Sequence, residues 1–325
     1  MRVILSYPTD TMARMLLRGD AFTRARTFLF EQARPLDRER FRFLFEGGSA
    51  AGVLRELAAF QNDDGGFGHA LEPDLRCAAS SAIATWHGFA VLREIGAAAD
   101  EPMARRAVDY LLATLDRERW VWPIVPAAVE DAPHAPWWTH AGIDEAFDGS
   151  RINPTASLLG VLHEHAEQVP AALLAELTER VLARVESAPD ALPMNDLPCL
   201  LALAAARHLP EPARARVEAK ALRAAPLLVA SDPADWTAYV LQPLDVVRAP
   251  GSFLAAVVDE AAVQANLDYW ISRQSPTGSW PLTWDWSFVD ERAWARAKLD
   301  NEGCVTVDRL HTLSAWGRVD AGLGD

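Results

Sequence analysis

Apolar residues recur along this chain at helical spacing, and strand-type alternation is almost absent. Residues 20–33 predict a helix with Phe22, Phe28, Leu29 and Gln32 turned inward, and in Arg38–Glu46 the residues Phe41 and Phe45, four apart, share a face. A third helix is expected from Ser49 to Gln61, with Val53, Leu54, Leu57 and Phe60 as its apolar stripe. Gly65–Gly66 ends it, because paired glycines admit positive φ. The next helix starts near Ala79–Ser80, ends at Gly96 and is apolar almost all round, as a helix buried on several sides is. Its one narrow stripe, Ser81, Thr85 and Gly88, either lines a cavity or lets two helices approach closely.

The alternation continues. Ala104–Leu115 is amphipathic, and a long loop follows from Arg117 to Arg151. Asn153 is expected to cap a helix over Pro154–His165, with proline in the first turn. Further helices are expected over Ala171–Val185, Cys199–Arg207, Pro212–Ala224, Trp236–Leu244, Asp259–Gln274 and Val305–Trp316. Amphipathic segments near residues 57, 110, 180, 219 and 268 recur at intervals of roughly 40–70 residues, the rhythm of stacked helical hairpins too small to bury their own faces. Five pairs are clear and the N-terminal helices add a sixth. The expectation is one all-α domain over residues 1–325, with 1–19 as an N-terminal extension and 117–151 as a lid-like loop.

A net charge of −14 argues against a nucleic-acid surface, since phosphate binding needs clustered Lys and Arg whereas the arginines here alternate with Glu and Asp. Cys77, Cys199 and Cys304 are odd in number and form no CxxC pair, which fits free thiols in a reducing compartment. The N-terminus MRVILSYPTDTM has too short an apolar run for a signal peptide, and no stretch approaches the roughly 18–20 apolar residues of a membrane span. The expected location is the cytoplasm, without integral membrane association.

Two stretches carry a family resemblance. Phe60-Gln61…Gly65-Gly66-Phe67 and, more closely, Trp270…Gln274…Gly278-Ser279-Trp280 resemble the QW repeats of the terpene cyclase and protein prenyltransferase superfamily. The resemblance implies an α/α toroid of five to six hairpins around a central apolar cavity, with Gln61 and Gln274 tying neighbouring helix ends together. The loop Phe67–Ala79 would then open toward that cavity. The family's catalytic motifs are missing. There is no DxDD, Asp63-Asp64 does not continue into DDxxD, and Asp300, Cys304 and His311 have the residue types of the prenyltransferase zinc site but not its spacing. The resemblance therefore extends to the fold and to none of the three catalytic sites.

Candidate chemistry gathers on the loops. Glu72 and Asp74 flank Pro73, and paired carboxylates near apolar walls part in pKa to give a proton donor and a base. Arg76 can keep one of them ionised through a bidentate contact; the plainer alternative is that the pair caps the next helix and Arg76 makes a surface ion pair. His69 lies on the same loop, and Trp86 on the helix behind it. The 117–151 loop brings His134, Trp137, Trp138 and His140, too rich in tryptophan for disorder and without a zinc signature. Trp236, Trp284 and Asp285 complete an aromatic and acidic set in which tryptophans can stabilise a cation, stack on a sugar or fill a core. The leading expectation is a terpene-cyclase-like toroid that acts on or binds an isoprenoid-like or other apolar small molecule. It would use carboxylic-acid protonation, with no metal and no cofactor. The alternatives are a carbohydrate-active α/α barrel with paired carboxylates, and a non-catalytic toroid that binds a ligand or a protein.

Overall fold

The computed structural model describes residues 14–147 and 151–320, so most of the N-terminal extension and three residues of the long loop lie outside the described residues. Among the described residues the protein is all-helical, and its only β-type pairing is isolated bridges. The helices are α1 (Gly19–Glu31), α2 (Pro35–Phe45), α3 (Ala50–Leu57), α4 (Ala82–Glu94), α5 (Pro102–Thr114), α6 (Ile143–Ala146), α7 (Thr155–Glu164), α8 (Ala171–Ser187), α9 (Asp196–Ala204), α10 (Glu211–Leu228), α11 (Pro243–Val246), α12 (Glu260–Ser272) and α13 (Glu291–Ala315). The helices pack in overlapping sets: α1 on α2, α2 on α3, α4 on α5 and α7, α7 on α8 and α9, α10 on α8 and α9, and α11 on α9 and α12. The C-terminal α13 returns to pack on α1 and α2, and Leu17 beside it donates its N–H to Arg318 O at 2.7 Å.

Where the sequence pattern was strong, its elements stand as expected. Ser49 caps α3 by accepting from Gly52 N, Phe41 and Phe45 meet at 5.1 Å, and Ser81 caps α4 by accepting from Ala84 N. Four expectations need correction. Gln32 at the end of α1 is exposed, because α1 buries only Ala25, Phe28 and Leu29. Asn153 does not cap α7; its peptide bond to Pro154 is cis and its Oδ1 lies 3.6 Å from Cys199 Sγ. Residues 236–244 are no continuous helix: Trp236 and Thr237 end a 3-10 helix over Pro233–Thr237, an extended piece follows, and α11 starts at Pro243, as a residue lacking an N–H allows. Finally, α13 begins at Glu291, capped by Asp290, not at Val305.

That last difference has a physical reason. The early half of α13 shows little apolar spacing because it stays largely at the surface, with Glu291, Arg292, Arg296 and Lys298 exposed and only Trp294, Ala297 and Asp300 buried. Asp300 takes Arg76 Nη1 at 2.7 Å, and Asp308 takes Arg40 Nη2 at 2.7 Å. Arg40 also binds Glu94 of α4 at 2.7 Å, while Arg34 binds Asp37 at 2.8 Å. Buried ions are tolerated when each is paired, and this network ties α2, α4 and α13 together.

The stripe Ser81, Thr85, Gly88 on α4 seats Phe67. Thr85 Oγ1 accepts from Phe67 N at 3.1 Å, and a Cβ on Gly88 would stand 2.7 Å from the Phe67 ring. The glutamine turns on either side of the molecule are alike. Gln61 Nε2 donates to Gly65 O and to Met103 O at the start of α5, both at 2.9 Å. Gln274 Nε2 donates to Gly278 O at 3.0 Å and to Ala21 O at the start of α1 at 2.8 Å. Gly65 and Gly278 have φ of +89° and +98°, and a Cβ on either would run into a carbonyl oxygen, that of Arg106 or of Arg24.

Candidate functional site

The loop between the Gln61 turn and α4 is fastened along both edges. Phe67 anchors one side, and on the other Arg76 N donates to Pro133 O at 3.0 Å while Ala135 N donates to Asp74 O at 2.8 Å. The segment 117–151 is thereby stitched to the carboxylate loop. Between these fastenings Glu72 and Asp74 are held in place, 8% and 4% exposed.

Their environments differ. Asp74 Oδ1 accepts from Trp286 Nε1 and from Asn301 Nδ2, each at 2.8 Å, and Oδ2 accepts from Trp284 Nε1 at 3.0 Å. All three donors are neutral. Burial, with the Glu72 charge behind it, outweighs them and pushes the Asp74 carboxyl up to about 6. Glu72 has a basic partner: Oε2 stands 2.9 Å from His87 Nε2, and Oε1 accepts from Asp74 N at 3.3 Å. Burial pushes Glu72 up too, but the His87 charge and hydrogen bond prevail and hold it below its ordinary value. Two carboxylates two residues apart thus differ in proton affinity, the condition for separate acid and base roles.

A cavity of about 660 Å³ lies before the pair. Trp86, Trp137, Trp138 and Trp284 form its aromatic walls, with Phe147 stacked 5.5 Å from Trp138 and Tyr239 edge-on to Trp284 at 5.9 Å. Asn153, Asn195 and Asn301 add amides, and Asp285 lies at an exposed position on the wall. Cys199 also lines the cavity, where burial pushes its thiol up to about 12 and keeps it neutral. Size and lining fit a small-molecule pocket, mostly apolar with a few placed polar groups.

Of the residues singled out from the sequence, Glu72, Asp74, Trp86, Trp137, Trp138, Trp284 and Asp285 meet at this cavity. Arg76 does not hold either carboxylate of the pair; its guanidinium is on Asp300. His69 is exposed, with Nε2 on Asn62 Oδ1 at 2.8 Å. His134 bonds the Ala132 carbonyl at 2.8 Å, and His140 is exposed, its backbone N–H on Glu130. Trp236 is a core residue, its indole N–H donated to Ala230 O at 2.7 Å and its ring edge-on to Tyr269. The helix-cap alternative for the pair does not hold either, since Ser81 caps α4.

Sequence reasoning missed His87, Tyr239 and the three asparagines. A signal existed for His87, the only titratable side chain between Ala82 and Val91 in an otherwise apolar helix. Asn301 was hidden by the charged half of α13.

Two more cavities adjoin this one. One of about 340 Å³ shares Asn195, Pro198, Tyr239 and Trp284 with it. Another of about 480 Å³ shares His87 and Asn301, and is lined by the paired ions of α2, α4 and α13. No cluster of three or more His, Cys, Asp or Glu is placed to hold a metal among the described residues. Nor is any helix there long and apolar enough to cross a membrane. Comparison with known proteins finds no matching family model, no matching curated protein and no matching solved structure.

Proposed function

We propose that the helices close into an α/α toroid of six pairs, and that its central aromatic cavity binds an isoprenoid-like or other apolar small molecule which Asp74 protonates. In this reading the outer members are α1, α3, α5, α8, α10 and α12, and the inner members are α2, α4, α7, α9, α11 and α13. Support for closure comes from the glutamine turns: Gln61 joins the end of α3 to the start of α5, and Gln274 joins the end of α12 to the start of α1. The same bond thus links consecutive outer helices, including the last to the first. This is the arrangement that the resemblance to the terpene cyclase superfamily implies.

The observation that carries the chemistry is the asymmetric carboxylate pair at the aromatic wall. Asp74 Oδ1 already accepts two hydrogen bonds and Oδ2 only one, so the proton belongs on Oδ2. When the O–H bond breaks, the proton forms a C–H bond with a substrate π bond and leaves cationic charge on carbon. Tryptophan faces stabilise such charge by roughly 0.5–2 kcal/mol per contact. Glu72, kept ionised by His87, is the base that takes a proton when the cation collapses to an alkene. The test is native mass spectrometry for a co-purifying lipid, followed by incubation of wild type and Asp74→Asn with farnesol. Binding by both proteins, with isomerised or cyclised product from wild type alone, is the expected result. Failure of wild type to bind farnesol, or turnover by Asp74→Asn, overturns it.

A second reading has its own observation. Asn153, Asn195, Asn301 and the Tyr239 hydroxyl beside the tryptophan walls form a donor–acceptor set suited to a sugar ring. Saturable binding of an oligosaccharide in place of farnesol favours that reading.

A further inference from the structure

The 340 Å³ cavity beside the aromatic one is lined by a cation that has no ion-pair partner among the described residues. Arg309, on α13, lines it with its guanidinium 4.7 Å over the Trp270 ring. Most arginines turned toward the interior have an acid within 4 Å: Arg34 has Asp37, Arg40 has Glu94 and Asp308, and Arg318 has Asp268. Among the described residues Arg309 has neither an ion pair nor a hydrogen bond. Burial pulls its guanidinium down to about 10, with Asp245 on the same wall opposing that fall. The charge is therefore incompletely compensated, and its N–H donors are free.

The remaining charged groups of this wall limit what can bind. Asp308 is held by Arg40 and lies 3.9 Å from Arg248, while Asp245 is tied to Gln242 N at 2.7 Å. Arg248 and Arg309 face Asp245 and Asp308 on this wall, so it carries no excess positive charge for a polyanion such as a diphosphate, and Arg309 is the one of these two cations without a salt bridge among the described residues. One negative charge with two coplanar oxygens suits both the charge balance and the guanidinium fork. The two cavities meet at Tyr239 and Trp284, so a ligand can lie across both.

We propose that the ligand is an apolar carboxylic acid, its hydrocarbon body among the tryptophans near Asp74 and its carboxylate on Arg309. The body's place rests on the proposed function above, whereas the carboxylate's place rests on Arg309 alone. The test keeps them apart. In the full chain, the Arg309 Nε–Hε resonance, assigned by its loss in Arg309→Lys, is followed by NMR during titration with butyrate at constant ionic strength. A saturable shift with butyrate, larger than any with inorganic pyrophosphate, is expected. No saturable shift, or a tighter one with pyrophosphate, overturns the carboxylate site whether or not farnesol binds. Farnesoic acid should then bind wild type about tenfold or more tighter than farnesol, and Arg309→Gln should erase that difference. Equal affinities in wild type refute the spanning pose, while failure of farnesol with a saturable butyrate shift refutes only the apolar reading. If Arg309→Gln does not fold, Arg309→Lys, which keeps the charge and loses the fork, should show a partial loss.

Discussion

His87 Nε2 stands 2.9 Å from Glu72 Oε2, and this contact makes one carboxylate of the pair unlike the other. It keeps Glu72 ionised, and the Glu72 charge in turn helps to raise Asp74. Removing that charge should therefore lower Asp74. In Glu72→Gln, the Asp74 carboxyl followed by carbon NMR should titrate below its wild-type midpoint of about 6. Turnover that needs the protonated acid should lose its high-pH limb at correspondingly lower pH. An unchanged midpoint would show that burial alone sets the acid.

Asp74 also links stability to pH. Its carboxyl titrates near 6 in the fold and near 3.8 in the unfolded chain. The stability it contributes is fully present below about 3.8 and is lost as the pH rises through about 6. Glu72 is shifted the other way, so its contribution is present above 4.5 and lost as the pH falls through its lowered value. Comparison with Asp74→Asn cancels the Glu72 trend to first order. Between pH 4 and pH 7, wild type should lose roughly 1–3 kcal/mol relative to Asp74→Asn. Urea midpoints at the two pH values measure this, and parallel behaviour of the two proteins would contradict the shift.

The helical hairpins could be read from the sequence because apolar spacing reports burial directly, as Val53 and Leu57 on α3 show. The carboxylate loop stood out because Glu72 and Asp74 lie between a glycine turn and an apolar helix. What stayed hidden depends on tertiary partners. Arg76 looked like a neighbour for the pair by spacing, but it reaches Asp300, a residue from the far end of the chain. The early half of α13 was missed because its exposed Glu291, Arg292, Arg296 and Lys298 leave little apolar spacing beyond Trp294 and Ala297 to mark a helix. Trp236 and Trp284 looked equivalent, and only the direction of each indole N–H, to Ala230 O or to Asp74 Oδ2, separates core from cavity.

The seat of Phe67 on Gly88 opposes a general rule. Glycine to alanine inside a helix ordinarily stabilises by about 1 kcal/mol. At Gly88 the new methyl would stand 2.7 Å from the Phe67 ring. Overpacking of this kind costs about 1–3 kcal/mol, so Gly88→Ala should lower the melting temperature. Phe67→Ala should cost roughly 3–5 kcal/mol through the cavity it leaves. Phe67→Leu combined with Gly88→Ala should recover part of the loss, and additivity of the two would show that the ring does not touch the site.

The last expectation concerns the wall made by the long loop. Ala135 N donates to Asp74 O at 2.8 Å, and Val129, Ala135 and Trp138 are buried behind that bond. A loop held this way behaves as a fixed wall when the ligand is absent. Ala135→Pro removes the donor, and a buried carbonyl left without its partner costs about 1–3 kcal/mol. That cost falls on the junction between the loop and Asp74, since helices α7–α10 pack on one another independently of it. Limited proteolysis should therefore cut wild type slowly within residues 120–147 and cut Ala135→Pro there first, with the helical circular dichroism of the two proteins alike. Rapid cutting of wild type in this segment, slowed by ligand, would instead make the loop a lid that closes on binding.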